Sequence, residues 1–337
     1  MLAIVAAAWA PATAEGVRGA TTDREILVMI DDARWQYQQS VDNAYEDWHP
    51  PLMAWIWHLL MSVQLGPAPM LVLQLALYWS GITLTATYLL RRGNPWAGLA
   101  ATLVGWLPAP LALSGSVTKD SLLTGVLVLA VGLLLWSRTA STKAARMGLG
   151  AATTLALLFA SALRVNAFFA CSPLALAAMP VQLTRTPLRI ALAAALTATV
   201  FGLMPVMTAK ALGAEDTDAK LSLIIFDLGG ITEHSQINQF PDLNVADPVV
   251  VNRRCYDPSQ WDGYSSWAKK PCPLGFDAFQ RLVDEGDVDV RMVWLRAIAA
   301  HPVAYFEHRL SHFNVSTWFL VPKGPDFTAW TQSVPNP

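Results

Sequence analysis

Between Asp47 and Glu215 the chain carries one carboxylate, Asp120, and residues 52 to 212 around it are almost uniformly apolar. So little polar surface cannot cover a water-soluble globule. It suits a hydrocarbon solvent, where every backbone amide must be satisfied within its own segment and helices are the simplest answer. Composition agrees, with 54% hydrophobic and 14% charged residues against roughly 25% charged in a soluble domain. The expected fold class is an all-α polytopic membrane protein. Spans of about 20 residues are read near 70–90, 95–115, 120–137, 147–163, 165–181 and 190–212, six in all. Residues 52–65 are shorter and carry His58 and Gln64, which suits a juxtamembrane helix lying along the surface.

The connections sort by charge. Arg91, Arg92, Arg138, Lys143, Arg146, Arg185 and Arg189 fall in alternate connections, whereas Lys119 and Arg164 fall in those between. The positive-inside rule puts the first set in the cytoplasm and places Lys119, Asp120, Arg164 and the polar region from 213 to 337 on the external, periplasmic side of a cytoplasmic membrane. Domains are expected at 1–212, with an external loop at 15–51, and at 213–337, which is mixed and mostly helical. Within the latter, Asp284 to Phe313 reads as helix interrupted at His301-Pro302, its last part lying on the membrane surface. Residues 1–14 are apolar but short, and read either as a weak signal or as a first span cut short. Cys255 and Cys272 fall outside, where a disulfide is permitted and two free thiols are the alternative; Cys171 reads as a packing residue within a span.

A net charge of −2 with no basic stripe argues against nucleic acid as a partner. There is no phosphate loop, dinucleotide fingerprint or nucleophile elbow, and the six histidines show no metal-ligand spacing. No cofactor is called for, and a divalent metal is neither required nor excluded. What remains is a set of polar groups assigned to one membrane face. Asp31 and Asp32 open a helix after Met29-Ile30, either as capping carboxylates or as a catalytic base. His49 precedes Pro50-Pro51, which fix an extended entry. Lys119 and Arg164 either snorkel to the headgroups or grip an anion. An ionisable side chain at membrane depth costs roughly 2.5 to 3.5 kcal/mol, and Asp120 at a span's end avoids much of that.

Several motifs in order, Asp47-Trp48-His49-Pro50-Pro51-Leu52, Gln74-Leu75-Ala76-Leu77-Tyr78-Trp79, Thr118-Lys119-Asp120, Leu163-Arg164-Val165-Asn166-Ala167 and Phe226-Asp227-Leu228-Gly229-Gly230-Ile231, resemble the polytopic C-type glycosyltransferases. These include protein mannosyltransferases, aminoarabinose transferases and related bacterial membrane proteins. The resemblance implies a polyprenyl-phosphate sugar donor and a glycan, lipid or protein acceptor at the membrane's external face. By position it makes Asp32, or its neighbour Asp31, the acidic residue of the first loop and Asp120 that of the second. Lys119, Arg164, His49 and Asn166 then become substrate-binding candidates. A transporter or flippase of lipid-linked sugars and a noncatalytic membrane scaffold are the competing readings.

Overall fold

A computed structural model describes residues 31–179, 186–268, 270–286 and 288–317. The stretch 1–14, the loop up to residue 30 and the end of the chain from 318 lie outside them. Among the described residues all regular structure is helical. The chain divides into two compact units, Met1–Thr217 and Asp218–Pro337.

In the first unit, α1 (Asp31–Asp42) and α2 (Leu52–Leu60) precede α3 (Ala68–Arg91), α4 (Pro95–Gly105), α5 (Pro108–Gly115), α6 (Lys119–Thr139), α7 (Lys143–Leu163), α8 (Phe168–Ala178) and α9 (Pro187–Ala211). Four of these, α3, α6, α7 and α9, are long and apolar enough to cross a membrane. At about 1.5 Å per residue their 21 to 25 residues match a hydrocarbon core of about 30 Å. The starts are written in the sequence: Thr118, Thr142 and Thr186 accept hydrogen bonds from the amides of Ser121, Ala145 and Arg189, satisfying otherwise orphaned first-turn donors. Arg91, Arg138 and Lys210 occupy last turns, where the helix dipole favours cations.

Two expected spans depart from straight helices. Residues 95–115 form α4 and α5, bent by 51°; Pro108 holds Leu107 in an extended conformation because its ring excludes a helical predecessor. Counted as one broken span, the pair raises the number of candidate spans to five. Residues 165–181 begin with a short 3-10 turn, Val165–Ala167, and α8 contains Pro173 and ends at Ala178. That apolar helix falls short of a spanning length.

Glycine sets the contact of α3 with α6. A Cβ on Gly81 would lie 2.4 Å from the Val128 carbonyl carbon, and one on Gly125 would lie 2.9 Å from Gln74 O, so the backbones meet as small residues allow in membranes. Trp57, Met53, Leu71, Leu122, Leu157 and Leu163 fill the core. Leu99, Leu103, Leu192 and Leu196 point outward, an apolar exterior compatible with a lipid environment. The expected surface helix at 52–65 is α2, but Met53, Ala54 and Trp57 on it are fully buried, and Trp57 Nε1 donates to Gly66 O at 3.0 Å.

The second unit wraps α11 (Pro248–Cys255), α12 (Phe276–Glu285), α13 (Val290–Ala300) and α14 (Pro302–Thr317) around α10 (Lys220–Ser235). Nearly all of α10 is buried from Ile224 to Thr232, the signature of a central helix rather than an amphipathic one. Cys255 and Cys272 form a disulfide. The helix expected from Asp284 starts later: Gly286, at φ 73°, closes α12, and Asp289 caps α13 by accepting from the Arg291 and Met292 amides. The end of that helix, expected to lie along a surface, turns its histidines inward: His308 on α14 is fully buried and His312 Nδ1 lies 2.8 Å from Pro258 O.

Candidate active site

Asp32 lies in the first turn of α1, where unpaired amides and the dipole favour a carboxylate. Its Oδ2 accepts from Lys119 Nζ at 2.9 Å and lies 3.4 Å from His49 Nε2. His49 Nδ1 in turn sits 2.8 Å from the same ammonium. The triangle closes with one tautomer: Nδ1 accepts from Lys119, and Nε2 carries the proton that faces Asp32. The His49 hydrogen bond, followed by the hydrogen bond and charge of Lys119, holds the Asp32 carboxyl far below the usual carboxylate range, against partial burial pushing the other way. The Lys119 side chain is only 8% exposed whereas that of Asp32 is 52% exposed, so the cation is buried and the anion caps it from the water side.

Three features fix Lys119. It opens α6 directly after the Thr118 cap, and buried Gln74 on α3 donates to Ser114 O at 2.8 Å and Ser116 O at 2.7 Å, holding the turn that leads into it. Ser121 Oγ lies within the same turn, paired with Thr118 Oγ1 at 2.8 Å. His49 is fixed from its own side. The Asp47 carboxylate accepts from Thr217 N and Oγ1, both at 2.8 Å, and the Asp47 amide donates to Glu215 O at 3.0 Å. Neither Gln74 nor Asp47 follows from charge patterning; their value is visible only once the segments they join are adjacent.

One residue along α6, Asp120 is ion-paired to Arg164 Nη1. Arg164 is the extended residue that ends α7, and the charges of Arg164 and Asp120 both act on Lys119. Asp32, His49, Lys119, Asp120 and Arg164 therefore gather at one end of the helix bundle, two cations among two carboxylates and an imidazole. Asn166 is exposed on the 3-10 turn beyond Arg164 and makes no hydrogen bond with this group among the described residues. Asp31 opens α1, but its side chain lies outside the described residues. On the inner face of α1, one turn after Asp32, the Gln36 amide is buried with neither polar atom hydrogen-bonded among the described residues.

Such a set can bind an oxyanion through Lys119 and Arg164 and accept a proton at Asp32. No cluster of three or more His, Cys, Asp or Glu that could hold a metal ion occurs among the described residues.

A second polar network lies within the other unit. Asp227 on α10 is fully buried; its Oδ2 accepts from Trp294 Nε1 at 2.9 Å and Arg309 Nη2 at 2.7 Å. His308 Nε2 approaches Oδ1 at 3.2 Å without hydrogen-bond alignment, and His308 Nδ1 meets Tyr256 Oη at 2.9 Å. Burial first, and then the Arg309 and His312 charges, push His308 below its ordinary value against Asp227, while burial pushes Tyr256 up. A neutral imidazole accepting from the tyrosine hydroxyl satisfies both. Gly230 makes room for it, since a Cβ there would lie 2.0 Å from His308 Nδ1. With every member buried or half-buried, this network fastens α10, α13 and α14 together.

Compared with protein-family models, with curated proteins and with solved structures, the chain matches none.

Proposed function

We propose that the first unit is a glycosyltransferase of the polyprenyl-phosphate-sugar class, acting at the external face of the cytoplasmic membrane that its long apolar helices cross. The carrying observation is the buried Lys119 ammonium between Asp32 and His49, beside the Asp120–Arg164 pair, at an end of helices long enough to span. In this reading Lys119 and Arg164 bind the donor phosphate, and Asp120 holds Arg164 in place. The acceptor hydroxyl oxygen bonds to the anomeric carbon and its proton passes to the Asp32 carboxylate. The anomeric C–O bond breaks with its electron pair leaving on the phosphate oxygen, where the two cations stabilise the charge. His49, and Asn166 on its exposed turn, help seat the substrates.

The pairing adds a condition. A carboxylate held strongly ionised is a weak base, so Asp32 is poorly suited to proton abstraction while Lys119 faces it. A phosphate arriving at Lys119 competes for the ammonium and restores basicity to Asp32, which links donor binding to acceptor activation. The Asp, Glu, Lys and Arg residues of α3, α6, α7 and α9 all lie in their first and last turns. That distribution supports a site at one face over the charged path a flippase would need.

The test is mass spectrometry of envelope glycans and lipids from a deletion strain, complemented with the wild type, Asp32→Asn or Lys119→Met at matched membrane levels. One glycan species is expected to vanish on deletion, return with the wild type and stay absent with either variant. Restoration by both variants, or no lost species, refutes the reading.

A further inference from the structure

Helix α14 is amphipathic in the opposite sense to a helix of a soluble domain. Its inward face presents Ala304, His308 and His312, with His308 fully buried against Asp227. Its outward face presents Val303, Phe306, Leu310 and Phe313 at spacings of three, four and three; Val303 is 69%, Phe306 66% and Phe313 50% exposed. One acid interrupts this stripe, Glu307, and His234 lies 3.7 Å from it. On the preceding helix α13, Met292 and Leu295 are likewise exposed, flanked by the exposed Arg291 and Arg296. Aromatic and branched side chains bordered by arginines are the composition of a surface that enters the headgroup region, where apolar groups sink and guanidinium groups meet phosphates.

A bilayer is also the apolar phase within reach. Helix α9, the most apolar of the candidate spans, ends at Ala211, and the second unit starts at Asp218. Seven residues extend at most about 25 Å. Glu215 and Thr217 still belong to the first unit, hydrogen-bonded there to Tyr45 and Asp47.

We propose that the outward face of α14, bordered by the α13 arginines, is a membrane-docking surface that lies in the headgroup layer of the bilayer crossed by α9. It rests on the membrane reading of the first unit and is independent of the glycosyltransferase reading.

The test uses full-length protein in nanodiscs of phosphatidylethanolamine and phosphatidylglycerol, with a nitroxide on Phe306→Cys or Phe313→Cys. Cys171 is buried and the other two cysteines are joined, so the introduced thiol is the reactive one. Collision with oxygen, which concentrates in lipid, is compared with collision with a water-soluble nickel chelate. Asp284→Cys on exposed α12 gives the water reference and Leu196→Cys on α9 the lipid reference. Both α14 labels are expected to meet the chelate several-fold less often than the Asp284 label and to meet oxygen as readily as the Leu196 label. Chelate access equal to that at Asp284 overturns the proposal. Exclusion of both reagents overturns it too, because then protein, either the chain beyond 317 or a second copy, covers the face. Chelate access at Leu196 removes the membrane reading and this proposal with it. Should a labelled variant melt earlier than the wild type, Val303→Cys on the same stripe takes its place with the same criteria.

Discussion

Replacing Asp227 by asparagine should loosen the second unit while leaving the first intact. The carboxylate is fully buried and its Oδ2 receives both the Trp294 indole and the Arg309 guanidinium; asparagine keeps the shape but loses the charge, and with its oxygen on these two donors its NH2 group faces His308 Nε2. Breaking a buried ion pair by removing one partner costs about 3 to 5 kcal/mol. Here the Arg309 side chain is 32% exposed, so part of its charge returns to water, and burial keeps His308 from adding a second stranded cation. A loss of about 2 to 4 kcal/mol is therefore expected. At tenfold per roughly 1.4 kcal/mol, the amides of α10 and α14 that exchange through cooperative opening should exchange roughly 30- to 700-fold faster. Hydrogen-exchange mass spectrometry on the full-length protein reads this peptide by peptide, with α3 and α6 as internal controls. Unchanged α10 exchange, or equal acceleration in α3 and α6, refutes the reasoning. The double variant Asp227→Leu, Arg309→Met removes both charges together and should recover much of the protection. If its loss instead equals the sum of the two single losses, the pair is not coupled.

Three further outcomes follow from the same contacts. Because burial lowers the folded-state pKa of His308, below about pH 6.5 the unfolded chain takes up a proton that the folded one refuses. Protection of α14 should therefore fall as pH drops from 7 towards the folded value, and His308→Gln should flatten that slope; an equally steep profile in the variant counts against it. Asp32 is depressed, so its contribution is present above about pH 3.9, its unfolded value, and is lost only as pH falls through the lower folded value. The difference in melting temperature between wild type and Asp32→Asn should then stay constant from pH 8 to 5, and a difference that changes within that window would show that Asp32 is not held by Lys119 and His49. Gly81→Ala puts a methyl 2.4 Å from the α6 backbone, so α3 and α6 must part. A lower melting temperature in detergent is expected, whereas the same change at Gly148, which faces open space, should be neutral.

What the sequence makes legible here depends on how many residues carry a signal. The long apolar helices are written redundantly, in some twenty side chains each plus Thr caps and terminal arginines, and single exceptions do not hide them. Residues 165–181 show the limit of that reading: they are apolar enough to span, but Pro173 and the turn at 165–167 shorten the helix, and hydropathy averages do not register either. The site follows the same division. Lys119, Asp120 and Arg164 stand out as lone charges, yet which carboxylate meets which cation depends on α1, α6 and α7 lying together, and only the structure pairs Lys119 with Asp32 and Arg164 with Asp120. Asp47 and Gln74 open motifs that carry the resemblance, but their roles are silent in sequence because an amide among leucines and an acid in a loop have many uses. On α14 periodicity identifies two faces of a helix without saying which is inner, and a buried Asp227 supplies the polar face with a partner and turns it inward. A carboxylate with no water around it selects histidine and arginine as neighbours, and that selection leaves Phe306 and Phe313 outside.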